Sequence, residues 1–313
     1  LKRSGSIAAH NAPMLHDAKT LRLFVAAVEL GSLTEAARQM HIALPAASRR
    51  VALLETQCGV RLLDRHPRGV RASAAGEAVV AQAREVLHAL HRLEAQFADF
   101  RGGAHGVVRV VANASTIAQF LPADLGDFLR HHAGIRVRLL ERSSAEAVQA
   151  VLSGEADLCL FEAHTPHARL ATHRYREDRL VAVLAARHPL ARRRTLGLDA
   201  LLALDHVALR SGTAVHRRLH ELAFRSAVAL RVRMEVGSFE AMCLMVEQGV
   251  GVGVLPAAVA ERAASHRAIR ALRLDTAWAS RVHLVGARGH EPLSAAAAAL
   301  LDHLSPPPAA QEA

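Results

Sequence analysis

Residues 33–55, LTEAARQMHIALPAASRRVALLE, constrain the chain more than any other stretch. They read as two short helices separated by a tight break. Ser32 suits the N-cap of the first, with Glu35 in the capping-box position three residues on. Leu33, Ala36, Ala37 and Met40 follow at spacings of three and four, the mark of one apolar helical face. His41-Ile42-Ala43 interrupts that period, and Pro45 fits the first turn of a second helix, where a missing N–H costs little. Ala47, Val51 and Leu54 make the second apolar face and leave Pro45, Ser48, Arg49 and Ala52 pointing outward. Small Ala36, Ala37 and Ala47 allow the two helices to cross closely. The pattern is that of a helix-turn-helix, whose second helix enters the major groove of double-stranded DNA. An ordinary αα-hairpin would show the same periodicity, so the flanking sequence has to decide.

Leu21, Phe24, Val25 and Val28 predict a helix just before the motif, with Gly31 placed to end it. Behind the motif, VRLLDRH and VRAS flank Pro67-Arg68-Gly69, two extended runs around a turn. A hairpin in that place is a wing, with Arg65 and Arg68 at its tip. An arginine there can reach a narrow minor groove, where the negative potential is enhanced; a solvated surface turn is the plainer reading. Charge favours the wing. The whole chain carries +10, and residues 1–73 hold eleven Lys and Arg against five Asp and Glu, more than half of the excess in under a quarter of the length. Such a local surplus suits a polyanion.

The next helix is predicted from about Ala75 to Phe100, with Ser73 as its cap. Val79, Ala83, Val86, Leu90, Leu93 and Phe97 alternate at four and three, the seam of a coiled coil. At 1.5 Å per residue it would be roughly 39 Å long. A narrow seam on so long a helix calls for a partner chain, so a homodimer is expected, presenting two wings to a pair of half-sites. Packing against the chain's own C-terminal domain is the alternative. His88 and His91, one turn apart, are read as exposed positions rather than metal ligands.

Residues 101–106, RGGAHG, form a joint, after which strands and helices alternate. Strands are predicted at 107–112, 135–141 and 156–161, with helices at 116–131 and 144–152, a succession that implies a mostly parallel sheet covered on both faces. A second unit follows, with strands near 171–176, 179–185, 206–209 and 230–236 and helices near 214–226 and 238–248. A short strand at 250–256, another at 281–286 and a helix at 293–304 complete it. If the last strand and helix return to the first sheet, the chain crosses twice between two lobes, and a ligand would bind in the cleft at the strands' carboxyl ends. Lobe I is then about 107–162 plus 270–305, and lobe II about 163–269. The whole division is 1–14 as a disordered extension, 15–74 DNA-binding, 75–104 linker helix and hinge, 105–305 effector-binding, and 306–313 tail.

Cys58, Cys159 and Cys243 are odd in number, far apart and without a CxxC, which fits a reducing cytoplasm and neither a disulfide framework nor a zinc ribbon. No run of 18 apolar residues is present, so no membrane span is expected. The opening LKRSGSIAAHNAPM is basic but lacks the apolar stretch of a signal peptide, and Met14 is an alternative start. GxSxG, HExxH and the P-loop pattern are all missing. Gly249, Gly251 and Gly253 have the wrong spacing for GxGxxG and follow a helix, the reverse of the required order. His131-His132 and the His164–His167 pair have no Cys or carboxylate set beside them. No catalytic residues, metal or cofactor are therefore expected. An enzyme with an appended DNA-binding domain remains one alternative; an architectural DNA-binding protein is another, though it leaves the α/β part unused.

Taken together these residues resemble a LysR-type transcriptional regulator, from Leu15 to Leu304. The sharpest part is residues 21–77; residues 236–256, VGSFEAMCLMVEQGVGVGVLP, and HPLA at 188–191 match the family's effector-domain run. The resemblance implies an α+β and α/β architecture: a winged helix-turn-helix, a dimerising linker helix and a two-lobed periplasmic-binding-protein-like effector domain. It also implies a sequence-specific regulator modulated by a small molecule, and assembly as a dimer of dimers. DNA contact is carried over to Pro45, Ser48, Arg49 and the wing Arg68. Where the family has Ser or Thr and then Gln, this chain has Ala43 and Leu44. Ala43 forfeits an N-cap worth roughly 1 kcal/mol. Leu44 lacks the bidentate adenine contact of Gln and offers an apolar contact to a thymine methyl instead. One wall of the effector pocket is expected at Ser115 and Thr116, where a strand meets a helix N-terminus that suits an anion. The opposite wall falls to Ser211, Gly212, Thr213 and Ser238, with Phe161 and Glu162 at the lobe crossover. Plain N-capping would explain each hydroxyl equally well. A small carboxylate-bearing metabolite is the ligand class expected.

Overall fold

Apolar helical periods lie on either side of Gly31 and the capping Ser32 in residues 17–40, and the chain folds accordingly. The computed structural model describes residues 17–67, 69–99, 106–289 and 292–305. It divides into two compact units, residues 1–93 and 94–313.

In the first unit α1 (Ala18–Leu30) is capped by Asp17, whose carboxylate accepts from Thr20 N, and closed by Gly31 in the left-handed region at φ 62°. Ser32 caps α2 (Leu33–Gln39), accepting from Glu35 N at 3.3 Å. The next helix, α3 (Leu44–Cys58), starts from Ala43 with no side-chain cap and with Pro45 in its first turn. Phe24, Ala36, Ala47 and Val51 are fully buried where the three helices meet, so the small residues do permit the close crossing. A carboxylate then turns the chain toward the wing: Glu55 Oε1 accepts from Leu62 N at 2.8 Å and Leu63 N at 2.9 Å.

β1 (Leu63–His66) and β2 (Gly69–Ala72) form the antiparallel hairpin, Leu63 opposite Ala72. Val70 N donates to Gly31 O at 2.9 Å. Gly69 sits at φ 135°, and a Cβ there would lie 2.1 Å from that same carbonyl. Only glycine lets the hairpin lie against the end of α1. Ser73 starts α4 (Ala74–Asp99), accepting from Gly76 N and donating to Arg61 O.

The seam of α4 divides. Val79 packs against the three-helix core, and Ala83 with Leu87 packs on Leu21 and Val25 of α1. Val86, Leu93 and Phe97 stay exposed at 45%, 44% and 56%. His88, expected at the surface, is buried at 7%. Heptad spacing shows which residues share a stripe, not which neighbour covers it. The side chain of His91 lies outside the described residues.

The second unit opens with β3 (Gly106–Ala112), α5 (Ala114–Gln119), α6 (Leu121–His131), β4 (Ile135–Glu141), α7 (Ser144–Leu152) and β5 (Leu158–Glu162). The single helix expected over 116–131 is two, broken at Phe120. Pro122 cannot donate a backbone hydrogen bond and is tolerated only in the first turn of α6. Next comes β6 (Leu170–Ala185), one strand of 16 residues where two were expected. The expected break falls at Glu177-Asp178, yet Asp178 is held by Gln119 and Arg281, and the strand continues through it.

β7 (Thr195–Leu196), α8 (Leu198–Leu202), β8 (Asp205–Leu209), α9 (Ala214–Arg225), β9 (Arg231–Val236) and α10 (Phe239–Glu247) follow. The chain ends with β10 (Gly253–Pro256), α11 (Ala257–Ala264), β11 (Ile269–Leu274), β12 (Ser280–Arg288) and α12 (Ala295–Leu304). The principal sheet runs β4-β3-β5-β12-β6-β11-β7 with β10 also on β6, and β8-β9 is a separate parallel pair. β3, β4 and β5 are mutually parallel, and β12 runs antiparallel to them. Residues 170–179 of β6 pair with β12, and residues 180–185 pair with β10 and β11. Two lobes thus share one strand. Because β11 pairs only with β6 and β7, the return to the first lobe falls after Leu274 rather than at about 270. Asp178 and Arg281 face each other across the register where β6 leaves β12.

Candidate DNA-binding face and effector cleft

On α3 the apolar stripe Ala47, Val51 and Leu54 is buried, which turns the opposite side outward. Leu44 is 42% exposed, Pro45 and Arg49 are exposed, and Ser48 is half-buried. Arg65 on β1 is exposed and its Nη2 donates to Ser48 Oγ at 3.3 Å, so wing and helix present one polar surface. Arg68 lies outside the described residues. Arg50, adjacent to Arg49, is tied elsewhere: its Nη1 donates to Asp17 at 2.8 Å and to Thr20 Oγ1 at 3.1 Å. Asp17 is held below the usual carboxylate range chiefly by the Thr20 amide, against a small opposing effect of burial, with Arg50 adding to it. Arg49 is thus the basic residue in the exposed first half of α3 that points away from the core.

Between the two lobes lies a cavity of about 560 Å³. Asn113 caps α5, Ser143 caps α7 with Glu146 completing a capping box, and Thr213 caps α9, so three helices begin at its walls. Asn113 is buried, donates to Ser144 Oγ at 3.0 Å and accepts from Thr116 N at 2.9 Å. Ser144 Oγ accepts in turn from Glu162 N at 3.2 Å, which ties α7 to the end of β5.

At the floor, Arg281 is 4% exposed and Asp178 3%. Arg281 Nε donates to Asp178 Oδ1 at 2.8 Å, Nη2 to Oδ2, and Nη2 also to Ser115 Oγ at 3.2 Å. Gln119 Nε2 adds a bond to Asp178 at 2.7 Å. His283 Nε2 lies 3.2 Å from Asp178 Oδ2, without the alignment of a hydrogen bond. Burial pushes the Asp178 carboxyl up, but His283 and Arg281 outweigh it and hold the group well below the usual carboxylate range.

Of the expected pocket residues, Ser115, Ser211 and Thr213 line this cavity, as does Glu162. Four do not. Phe161 is fully buried against α7, because alternation along β5 sends it to the opposite face from Glu162. Thr116 is buried and donates to Asn113 O, so its hydroxyl is spent within the helix turn. Gly212, at φ 95°, shapes the turn before α9 without lining the cavity. Ser238 caps α10 and faces an adjoining hollow of about 450 Å³ that shares Ala114, Glu141, Gly237 and Phe239 with the first. Sequence reading missed Asn113, Arg142, Arg210, Asp178 and Arg281. A lone arginine opening the apolar strand RVHLVG was the available signal for the last.

Cys159 and Cys243 are buried and line no part of the 560 Å³ cavity. Burial pushes the Cys159 thiol up to about 12 and raises that of Cys243 as well. Neither is a thiolate at neutral pH. No group of three or more His, Cys, Asp or Glu among the described residues could hold a metal ion.

Two family models match in succession. "Bacterial regulatory helix-turn-helix protein, lysR family" matches residues 18–77, and "LysR substrate binding domain" matches residues 101–306. The chain belongs to the LysR family. The RuBisCO operon transcriptional regulator of Allochromatium vinosum is 27% identical over 237 residues, covering 76% of this chain and 78% of that one. Full-length CbnR complexed with its target DNA shares the fold at TM-score 0.65 and 22% identity, covering 92% of this chain and 98% of that one. The effector-binding domain of QuiR in complex with shikimate covers 64% of this chain and 96% of its own at TM-score 0.56 and 16% identity.

As a LysR-type transcriptional regulator, this chain binds DNA in a sequence-specific way through its winged helix-turn-helix. A small molecule bound between its two α/β lobes modulates that activity. No helix among the described residues is long and apolar enough to cross a membrane.

Proposed function

We propose that Leu44, Pro45, Ser48 and Arg49 of α3 read or clamp the operator, with Arg65 beside them, and that Arg68 of the same hairpin sequence contacts DNA as well. The observation that carries this reading is the Arg65–Ser48 bond, which sets the wing next to the exposed start of α3. CbnR, which shares the fold, is seen with its target DNA. Arg49→Ala and Arg68→Ala are each expected to weaken operator binding by about tenfold or more, since a charged contact is worth roughly 1.5–3 kcal/mol. Arg68→Ala should also flatten the salt dependence, because one phosphate contact fewer releases fewer counterions. Titrating a labelled operator at several salt concentrations measures both; unchanged affinity for both variants would remove these contacts.

The exposed Val86, Leu93 and Phe97 support a dimer formed through α4, and the family resemblance supports a tetramer built from two such pairs. The domain limits we favour are 15–74 for DNA binding, 75–104 for linker and hinge, and 105–305 for the effector domain. The chain acts on chromosomal DNA, which puts it in the cytoplasm. It acts as a regulator and not as an enzyme, with the effector as its only small-molecule partner. Support for this comes from the family's members, which are transcriptional regulators. Replacing Ser115 and Ser211 together by alanine should abolish the transcriptional response to the effector and leave operator affinity intact. Normal induction in a reporter strain would place the effector elsewhere.

A further inference from the structure

At the floor of the cavity Arg281 Nη1 and the Glu162 carboxylate face each other as an ion pair at 3.7 Å, with no hydrogen bond between them. Arg281 donates through Nε and Nη2 to Asp178 and Ser115, while Nη1 makes no hydrogen bond among the described residues. Its nearest charged neighbour is Glu162 Oε2 at 3.7 Å. Glu162 is 14% exposed, and its carboxylate accepts no hydrogen bond among the described residues; His164 Nδ1 stands 3.9 Å from the other oxygen. A half-buried acceptor and a donor of a buried guanidinium, both on the cavity wall, keep hydrogen-bonding capacity that a ligand can take up.

The charges sharpen what that ligand must carry. Asp178 neutralises Arg281 through two hydrogen bonds, so Glu162 makes the floor net anionic. Of the other charged groups on the first lobe's wall, Arg142 is paired with Glu155, Glu146 is turned into the capping box of α7, and Glu141 is exposed. A bare carboxylate pushed onto this floor would satisfy Arg281 Nη1 but strand Glu162 against a like charge. A bare amine would satisfy Glu162 and leave Nη1 and the Ser115 hydroxyl hydrogen unused. The second lobe's wall is different in kind: Leu209, Val215 and Phe239 give it an apolar stretch, beside Ser211, Thr213 and Arg210.

We propose that the effector is an α-amino acid, its carboxylate on Arg281 Nη1 and Ser115, its ammonium on Glu162, and its side chain against Leu209, Val215 and Phe239. Ammonium and carboxylate on neighbouring atoms match a donor and an acceptor only 3.7 Å apart. Head group on one lobe and side chain on the other would hold the lobes together when the ligand is bound. This narrows the carboxylate expected from sequence, and it rests on the cleft being the effector site.

The test is a thermal-shift and calorimetric survey of the full-length protein with the twenty L-amino acids. Each is paired with its 2-hydroxy acid, its des-amino acid and its decarboxylated amine. At least one amino acid should raise the melting temperature, with its three analogues binding about tenfold or more weakly, as expected when a buried charged partner is left unmatched. Glu162→Gln should lose the discrimination between amino and des-amino forms while keeping operator affinity, and Glu162→Asp should restore part of it. A des-amino acid that binds as well as its parent overturns the ligand class and leaves the cleft standing. Failure of all twenty to bind overturns it too. A shift that survives both Glu162→Gln and the Ser115–Ser211 double substitution puts the ligand outside the cleft, and then the reading of the site falls as well.

Discussion

Replacing Arg281 by methionine is expected to cost the second domain about 3–5 kcal/mol, because it leaves Asp178 buried without its main partner. Both side chains are under 5% exposed, so solvent cannot take over the lost contacts. Gln119 and His283 remain, but the first is neutral and the second is not aligned to hydrogen-bond. The pH dependence gives the mechanism away. In the native chain the Asp178 carboxyl is depressed, so its contribution is present at and above the ordinary carboxylate range and is lost as pH falls below it. In Arg281→Met burial would be opposed only by His283 and Gln119, so the group would be depressed less and protonation at a milder pH would relieve the buried charge. The deficit against wild type should therefore shrink on acidification. Urea titrations at several pH values measure it. A loss under about 1 kcal/mol, or a deficit that grows in acid, would mean the pair is not the structural post of the lobe crossover.

Leu90→Glu is the second large effect expected. Leu90 belongs to the stripe that includes the exposed Val86, Leu93 and Phe97, and a carboxylate in that stripe would meet its own copy across a two-fold axis. The variant should sediment as a monomer. Its affinity for an operator with two half-sites should fall by about 100-fold or more, since the second half-site no longer binds intramolecularly. Affinity for a single half-site should hardly change, because α1, α2 and α3 keep their own core. A Leu90→Glu dimer of normal stability would show that another surface joins the chains.

Much of the first domain was legible from spacing. Ala36, Ala37 and Ala47 anticipate close helix crossing, Gly31 and Gly69 mark turns, and Ala43 announces a helix without a cap; each depends on neighbours within a few residues. The errors came where a distant group decided. Glu177 and Asp178 look like a strand end until Arg281, about a hundred residues away, is seen to neutralise Asp178. Phe161 was placed in the cleft by its position at the crossover, but one step of strand alternation exchanges it for Glu162. His88 looked like surface because a seam does not say what covers its flanks.

The sequence by itself determined the order of parts: winged motif, long helix, then alternating strands and helices in two lobes. It did so because periodicity, caps and turns are local. It also located the helix starts from which Ser115, Ser211 and Thr213 reach the cleft, since hydroxyls at or just before helix N-termini are a short-range signal. Only the tertiary structure decided the character of the floor. Arg281, Asp178, Glu162 and Ser115 come from three strands and a helix, and their charges cancel or remain only through contacts of 2.8, 3.2 and 3.7 Å made across more than a hundred residues of chain. Coulomb and desolvation energies depend on those distances and on burial, and neither is written in the order of residues.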